Sequence, residues 1–367
     1  MDAGSVVKQA IKQFLSPIVP LLEDTSVSEI LINGPSQIFI ERAGKLEKTT
    51  ITFADEDSLK AAVNSIAQSV GRRINEEEPT LDARLPDGSR IAAVLPPCAR
   101  MGTVVSIRKF TQSKVSFKDY VLKGSLSEDA AQFLDVCMFL GKNIIVSGGT
   151  GSGKTTLLGL LCSRIPKGQR IIVIEDSSEL NISYDHVVHF ETRQANQIGK
   201  GEVSMRTLLK SSLRLRPDRI IVGEVRSSEA IELINAMNTG HKGCLGTVHA
   251  NSPDDAIVRL EALAQSGDHA ISEKALRFQI SSAVDLIVQI SRFSDGSRRV
   301  SHISEIRGLN SKGDYEVAPI FAMSRLVRKA DGKLEGSLTA TGEIPSFMQE
   351  ITDNNLPFSQ AKFTKVS

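Results

Sequence analysis

The sequence predicts an α/β chain: a larger C-terminal part built on a mostly parallel sheet, and a smaller α+β N-terminal part. Three observations predict it. From Asn143 onward, short apolar runs alternate with stretches of helical spacing, the pattern of parallel strands covered by helices on both faces. A glycine-rich loop, Gly148-Gly149-Thr150-Gly151-Ser152-Gly153-Lys154-Thr155, joins one such run to one such helix. The length of 367 residues is enough to bury two separate cores.

The elements follow in order. Residues 1–112 form the α+β part. Met1 to Pro20 has a helical pattern of Val6, Val7, Ile11, Phe14, Leu15, Ile18 and Val19, without the apolar block and cleavage site of an export signal. Strands are expected at Ile30–Asn33 and Gln37–Arg42 around Gly34-Pro35, then a helix after Glu56, a turn at Arg84–Arg90, and strands at Ile91–Leu95 and Val104–Phe110. Residues 113–126 are polar and read as a linker. Residues 127–367 form the second domain, opened by Ser127 as a helix cap with Glu128 and Asp129 behind it. Its strands are Asn143–Ser147, Arg170–Glu175, Arg219–Val222 and Cys244–Val248. Its helices are Lys154–Ile165, Ser204–Arg216, Ser227–Met237 and one opened by Ser252-Pro253. After Asp285 the chain becomes strand-rich, at Leu286–Ile290, Val300–Ile306 and Tyr315–Ala318.

Composition narrows the function. The 44 basic and 43 acidic side chains nearly cancel, where a general nucleic-acid binder carries a basic excess. There is no tryptophan and there are only three tyrosines to stack on bases. No apolar run reaches the roughly 18–20 residues that span a bilayer. Cys98, Cys137, Cys162 and Cys244 lie at no zinc-like spacing, and their context is that of free thiols in a reducing cytoplasm.

The glycine-rich loop matches G-x-x-x-x-G-K-[ST] in full, with a strand before it and a helix after. Such a loop turns successive backbone N–H groups, and the positive end of a helix, toward phosphate oxygens. Lys154 can reach the outer phosphates, the Thr155 hydroxyl can ligate Mg2+, and Thr156 follows in the same turn. Two strands end in acids, at Glu175-Asp176 and at Glu224, and the carboxyl ends of parallel strands converge on the ligand crevice. If those strands neighbour the loop's strand, both acids lie near the phosphates. Glu224 is assigned to orient water and Glu175 to the magnesium shell, but the sequence does not settle which does which. His249, after the strand that follows, can bond a carboxylate or sense the γ-phosphate. His241 is a weaker candidate.

With these residues in view, the chain resembles the type II/type IV secretion ATPases, or traffic ATPases. Four of the family's motifs occur in order: the phosphate loop GGTGSGKTT, an aspartate box at Ile174–Leu180, a Walker B segment at Leu215–Arg226 and a histidine box at Gly240–Ser252. Ser28–Pro35, Leu81–Arg90, Ser106–Phe110, Glu191–Arg193 and Gly199–Glu202 resemble the CpaF branch, which serves tight-adherence pili. The resemblance covers about residues 20–310. It implies a RecA-like C-terminal domain, a PAS-like N-terminal domain, a homohexamer with ATP between the domains, and an inner-membrane platform protein as partner. The location implied is cytoplasmic, at the inner face of that membrane. It also implies that Arg90 and Arg108 approach the phosphates and that Arg259 reaches a neighbouring subunit's nucleotide. The cysteine tetrad of many type II ATPases is absent, as is the Ala-Ile-Arg-Asn-Leu-Ile-Arg segment of dedicated retraction motors. The function expected is therefore Mg-dependent ATP hydrolysis by a hexameric motor for pilus assembly, with or without retraction, or for secretion. The alternatives are a hexameric nucleic-acid translocase and a nucleotide-gated scaffold.

Overall fold

The central strands are buried along their whole length, and that double-sided burial decides which layers form. The computed structural model describes residues 15–42, 44–85, 87–109, 115–195, 199–267 and 271–365. The chain divides into two units, Met1–Ser113 and Lys114–Ser367.

The first unit holds a six-stranded antiparallel sheet. Its strands are β1 (Val27–Asn33), β2 (Ile38–Arg42), β3 (Lys45–Lys48), β4 (Thr80–Arg84), β5 (Arg90–Val94) and β6 (Val104–Arg108), in the order β3-β2-β1-β6-β5-β4. Ile30, Ile32, Ile40, Ile91, Ala93, Val105 and Ile107 are buried and share a core with Leu59, Val63 and Ile66 of the helix Glu56–Ser69. Asp55 caps that helix by accepting from the Ser58 amide. Before the sheet come a 3-10 turn at Ser16–Ile18 and a short helix at Val19–Glu23. Most of the expected N-terminal helix lies outside the described residues.

The second unit is built on a nine-stranded sheet. Its strands are β7 (Ile144–Ser147), β8 (Ile171–Glu175), β9 (Val187–Glu191), β10 (Arg219–Val222), β11 (Leu245–Val248), β12 (Leu286–Arg292), β13 (Arg298–Leu309), β14 (Tyr315–Met323) and β17 (Leu338–Ala340). A separate pair, β15 (Val327–Arg328) and β16 (Leu334–Glu335), lies beside them in sequence. The order is β17-β14-β13-β12-β7-β11-β10-β8-β9, with the six strands from β12 to β9 parallel. Ile144, Val146, Ile171 and Val173 face one core, with the helices Glu128–Leu140 and Lys154–Cys162. Ile145, Ile172, Ile174, Ile220 and Val222 face the other, with the helices Met205–Ser212, Glu229–Asn238, Pro253–Gln265 and Glu273–Ala283. This is the period-two division of a sheet covered on both sides.

Two fixtures hold the lower and outer parts together. The C-terminal segment returns to the helix Glu128–Leu140, where Phe133 meets Phe321, Phe347, Phe358 and Phe363 at ring distances of 5.5–6.0 Å. At the end of the sheet remote from the glycine-rich loop, Arg219 is 3% exposed and donates to Gln169 Oε1 at 2.6 Å and to the Met138 carbonyl at 2.9 Å. Gly243 makes room for it: a Cβ there would sit 1.3 Å from Arg219 Nη1.

The stretch expected to be a linker is partly structured. Residues 117–122 form a helix, with Ser116 and Asp119 in a reciprocal capping box and Tyr120 buried in the second unit's core. The polar character of the segment hid the spacing of Phe117, Tyr120 and Val121. The helices Glu273–Ala283 and Met348–Asp353 and the strands β3, β4 and β9 were also not expected.

Replacing Phe133 with alanine empties the centre of the aromatic cluster. It should cost the second unit about 3–5 kcal/mol, seen in calorimetry as a lowered unfolding transition for that unit.

Candidate active site

The loop after β7 is shaped by what it lies against. A Cβ on Gly148 would fall 2.3 Å from the Ile290 carbonyl of β12, so only glycine lets the loop leave the sheet there. Gly151 and Gly153 have φ of 67° and 99°, the left-handed region that glycine adopts without strain. Lys154 opens the following helix and is buried, with Nζ donating to the Gly148 and Gly149 carbonyls at 3.0 and 3.1 Å. The first N–H groups of a helix have no acceptor within it. Among the described residues, none is bonded to the amides of Lys154, Thr155 or Thr156. Thr150 is exposed, Thr155 and Thr156 are half-buried, and the buried Ser152 hydroxyl has no hydrogen-bond partner among the described residues. A concave backbone with inward amides and one buried ammonium fits a polyphosphate.

Strand order places the other groups. The sequence reading put both acid-ended strands beside β7 as a condition, and that condition is not met. β11 lies between β7 and β10, and β8 comes after β10. Order in a parallel sheet is set by crossover connections, which local sequence does not encode. The inserted strand nevertheless bridges the gap, because it ends in His249. His249 Nε2 lies 2.6 Å from Glu224 Oε1, and Lys154 Nζ lies 3.3 Å from His249 Nδ1. Arg226 takes the other Glu224 oxygen through Nε at 2.7 Å and a second contact through Nη2, and reaches Asp176 Oδ2 at 3.2 Å. One polar chain thus runs Lys154–His249–Glu224–Arg226–Asp176 across the ends of β7, β11, β10 and β8.

The charges in this chain fix its protons. Burial, and next the Lys154 charge, hold His249 below the usual imidazole range, against the upward pull of Glu224. A neutral ring can accept from Lys154 at Nδ1 and bring Nε2–H close to Glu224 Oε1, which has no hydrogen-bond partner among the described residues. Burial likewise pushes the Lys154 ammonium down, while Glu224 pulls it up.

Glu175 is 3% exposed, and its Oε1 accepts from the Glu179 and Leu180 amides at 2.9 Å each. A Cβ on Gly223 would meet Glu175 Cγ at 2.8 Å, so the glycine before Glu224 makes space for Glu175. Among the described residues, no three His, Cys, Asp or Glu side chains gather to hold a metal. Magnesium takes few protein ligands and keeps phosphate oxygens and water. Thr155 and Glu175 are the residues on offer for it. Arg259 is exposed on the helix Pro253–Gln265, and its charge is among those that lower His249. His241 precedes β11 whereas His249 follows it, so the two histidines lie at opposite ends of that strand.

In the first unit, Arg90 pairs across the sheet with Arg108 on one side and Arg84 on the other. The three arginines share one face of the sheet, opposite that of Ile91 and Ile107. Arg84 and Arg226 carried no assigned role in the sequence, and Asp176 stood there only beside Glu175 at the end of its strand. An arginine two residues after Glu224 could have signalled a clamp on that acid.

The chain matches the profile of the family described as Type II/IV secretion system protein over residues 12–315. It is 35% identical to the conjugal transfer protein TrbB of Rhizobium radiobacter over 293 residues, covering 78% of this chain and 86% of that one. It is 33% identical to the type IV secretion system protein VirB11 of Brucella suis over 335 residues, covering 83% and 92%. Its fold is similar to that of the pilus retraction motor PilT with bound ADP, with a TM-score of 0.57 and 22% identity over 94% of this chain and 86% of that one.

The charges around His249 predict its titration. By NMR, its imidazole should titrate below the ordinary value of about 6.5. Lys154→Ala should raise that midpoint and Glu224→Gln should lower it further, because one removes a like charge and the other an opposite one. Shifts in the reverse directions would contradict the arrangement.

Proposed function

The chain belongs to the type II/IV secretion system protein family, and from that premise we propose that it is a magnesium-dependent ATPase that powers a pilus or secretion machine. The observation that carries this reading is the chain from Lys154 through His249 to Glu224, which joins the phosphate loop to a carboxylate in two contacts.

Each residue then has a task. The loop amides and Lys154 hold the phosphates. Magnesium would be held by Thr155 and the phosphates, with Glu175 on its water shell, and would neutralise charge on the departing oxygen. Water attacks the γ-phosphorus, the bond to the β–γ bridging oxygen breaks, and ADP and phosphate leave. Glu224 takes the proton of that water. Arg226 holds Glu224 Oε2, and His249 crowds Oε1, which has no hydrogen-bond partner among the described residues, so a water that reaches the carboxylate must move one of the two side chains. Turnover is thereby tied to movement of His249 or Arg226. Arg259 supplies positive charge to the phosphates from a neighbouring copy, and the family resemblance gives Arg90 and Arg108 a like role.

The finer reading is a CpaF-type homohexamer on the cytoplasmic side of an inner-membrane platform, assembling or retracting a tight-adherence pilus. Its support is the set of sequence signatures in the N-terminal unit and at residues 191–202. No helix among the described residues is long and apolar enough to cross a membrane; on this reading a platform partner supplies the attachment. Relatives named for conjugal transfer and type IV secretion fit transport of macromolecules by the same engine.

Phosphate release by the purified protein tests the reading. Lys154→Ala and Glu224→Gln should each lower it by about 10²–10⁴-fold, and chelation of magnesium should abolish it. Wild-type turnover in either variant would refute the assignment. Strong stimulation by DNA with a steep salt dependence would favour a nucleic-acid translocase instead.

A further inference from the structure

A hairpin outside every recognised motif stands against the phosphate loop. It joins β12 to β13, with the Phe293 amide donating to the Ser297 carbonyl at 2.8 Å and the Gly296 amide to the Phe293 carbonyl at 2.9 Å. The Asp295 carboxylate braces the turn. It accepts from the Ser297 amide at 3.0 Å, the Ser297 hydroxyl at 2.6 Å and the Leu334 amide at 2.9 Å. Arg299 ties the same turn to the Leu334 carbonyl at 2.6 Å. The hairpin is therefore fixed from behind, and two further arginines, Arg292 and Arg298, flank it.

Arg298 Nε donates to the Gly151 carbonyl of the phosphate loop at 3.0 Å. Its Cδ would lie 3.5 Å from a Cβ on Gly153, and the Tyr120 hydroxyl 3.7 Å from the same point. Arg292 Nη1 would lie 4.0 Å from a Cβ on Gly151. Arg292 is exposed, and its side chain makes no hydrogen bond or ion pair among the described residues. In a trans peptide the C=O and the next N–H point in opposite directions. With the Gly151 carbonyl drawn outward to Arg298, the Ser152 N–H is turned the other way, across the loop, where it donates to the Gly149 carbonyl at 3.3 Å.

We propose that this hairpin is a third wall of the nucleotide site. Arg298 is a positioning residue that fixes the 151–152 peptide plane, whose N–H closes onto the Gly149 carbonyl, and so holds the curl of the loop around the phosphates, and Arg292 binds a non-bridging oxygen of the nucleoside diphosphate moiety. The proposal rests on the nucleotide-binding reading above and adds residues from strands that the phosphate motif does not reach. Both arginines act on binding and not on the bond that breaks, so they govern affinity more than turnover.

The test uses the full-length protein. KM and kcat for ATP are measured by phosphate release, and ADP affinity by equilibrium binding of a fluorescent ADP. Arg298→Ala and Arg292→Ala should each raise KM and weaken ADP binding about tenfold, the loss expected for one charge-assisted hydrogen bond. kcat should change less than about threefold, since an interaction made equally in ground and transition states alters KM alone. Arg298→Lys, which keeps a donor for the Gly151 carbonyl, should recover part of the affinity. Arg292→Ala removes no protein contact, so it stays informative if Arg298→Ala fails to fold. Unchanged KM and ADP affinity in Arg292→Ala and Arg298→Lys alike, with kcat reduced or not, would overturn the proposal. Lys154→Ala is measured alongside. If it binds ADP as the wild type does, the nucleotide reading itself fails; if it alone loses ADP, only the hairpin's role fails.

Discussion

The contact between His249 and Glu224 is the constraint on which the rest of the site depends. It closes the gap left by the strand order, in which the acid-bearing β10 is kept from β7 by β11. At 2.6 Å it is a close polar approach of imidazole to carboxylate, made without hydrogen-bond alignment, since Glu224 Oε1 has no hydrogen-bond partner among the described residues. Lys154 on one side and Arg226 on the other make the same contact part of a row of alternating charge. Lys154 opens the helix after β7, and the other four follow the carboxyl ends of β11, β10 and β8, so the parallel order of four strands sets the spacing of five side chains. A sheet of another order would carry the same residues without joining them.

The scaffold meets this demand through its two faces. Ile144 and Ile145, adjacent in sequence, lie in different cores, so β7 is held from above and below and its end cannot tilt freely. Glycines then admit close approaches that any side chain would block. Gly148 lets the loop pass the β12 backbone, and Gly223 lets the Glu175 side chain pass beneath the residue before Glu224. These positions look alike in the sequence, yet each serves a different neighbour.

The strand–loop–helix around Lys154 was legible because three local signals agree there: an apolar run, a glycine pattern and helical spacing. The acids at the ends of β8 and β10 were legible for a similar reason, since each closes a run of isoleucine and valine. What was not legible depends on partners distant in the chain. The bond from Arg298 to Gly151 spans 147 positions, and nothing near either residue announces it. The place of β11 between β7 and β10 belongs to the same class. Residues 115–122 were misread for a different reason: Ser116 and Asp119 form a helix start that could be seen, but a polar composition was given more weight than the cap. The helix Glu273–Ala283 likewise carried a readable spacing of Leu276, Ile280 and Ala283 behind Ser272.

Arg219 lies at the far end of the same sheet, seated against Gly243 with its guanidinium enclosed. It begins β10, and Gly243 stands just before β11. The two strands therefore share a common origin, and Glu224 and His249 are reached from it by counting along neighbouring tracks. Adding or deleting a single residue in either track would leave the origin in place and carry one partner past the other. Substitutions within these strands change packing by degrees, whereas a change of length by one unit would uncouple the acid from the imidazole outright.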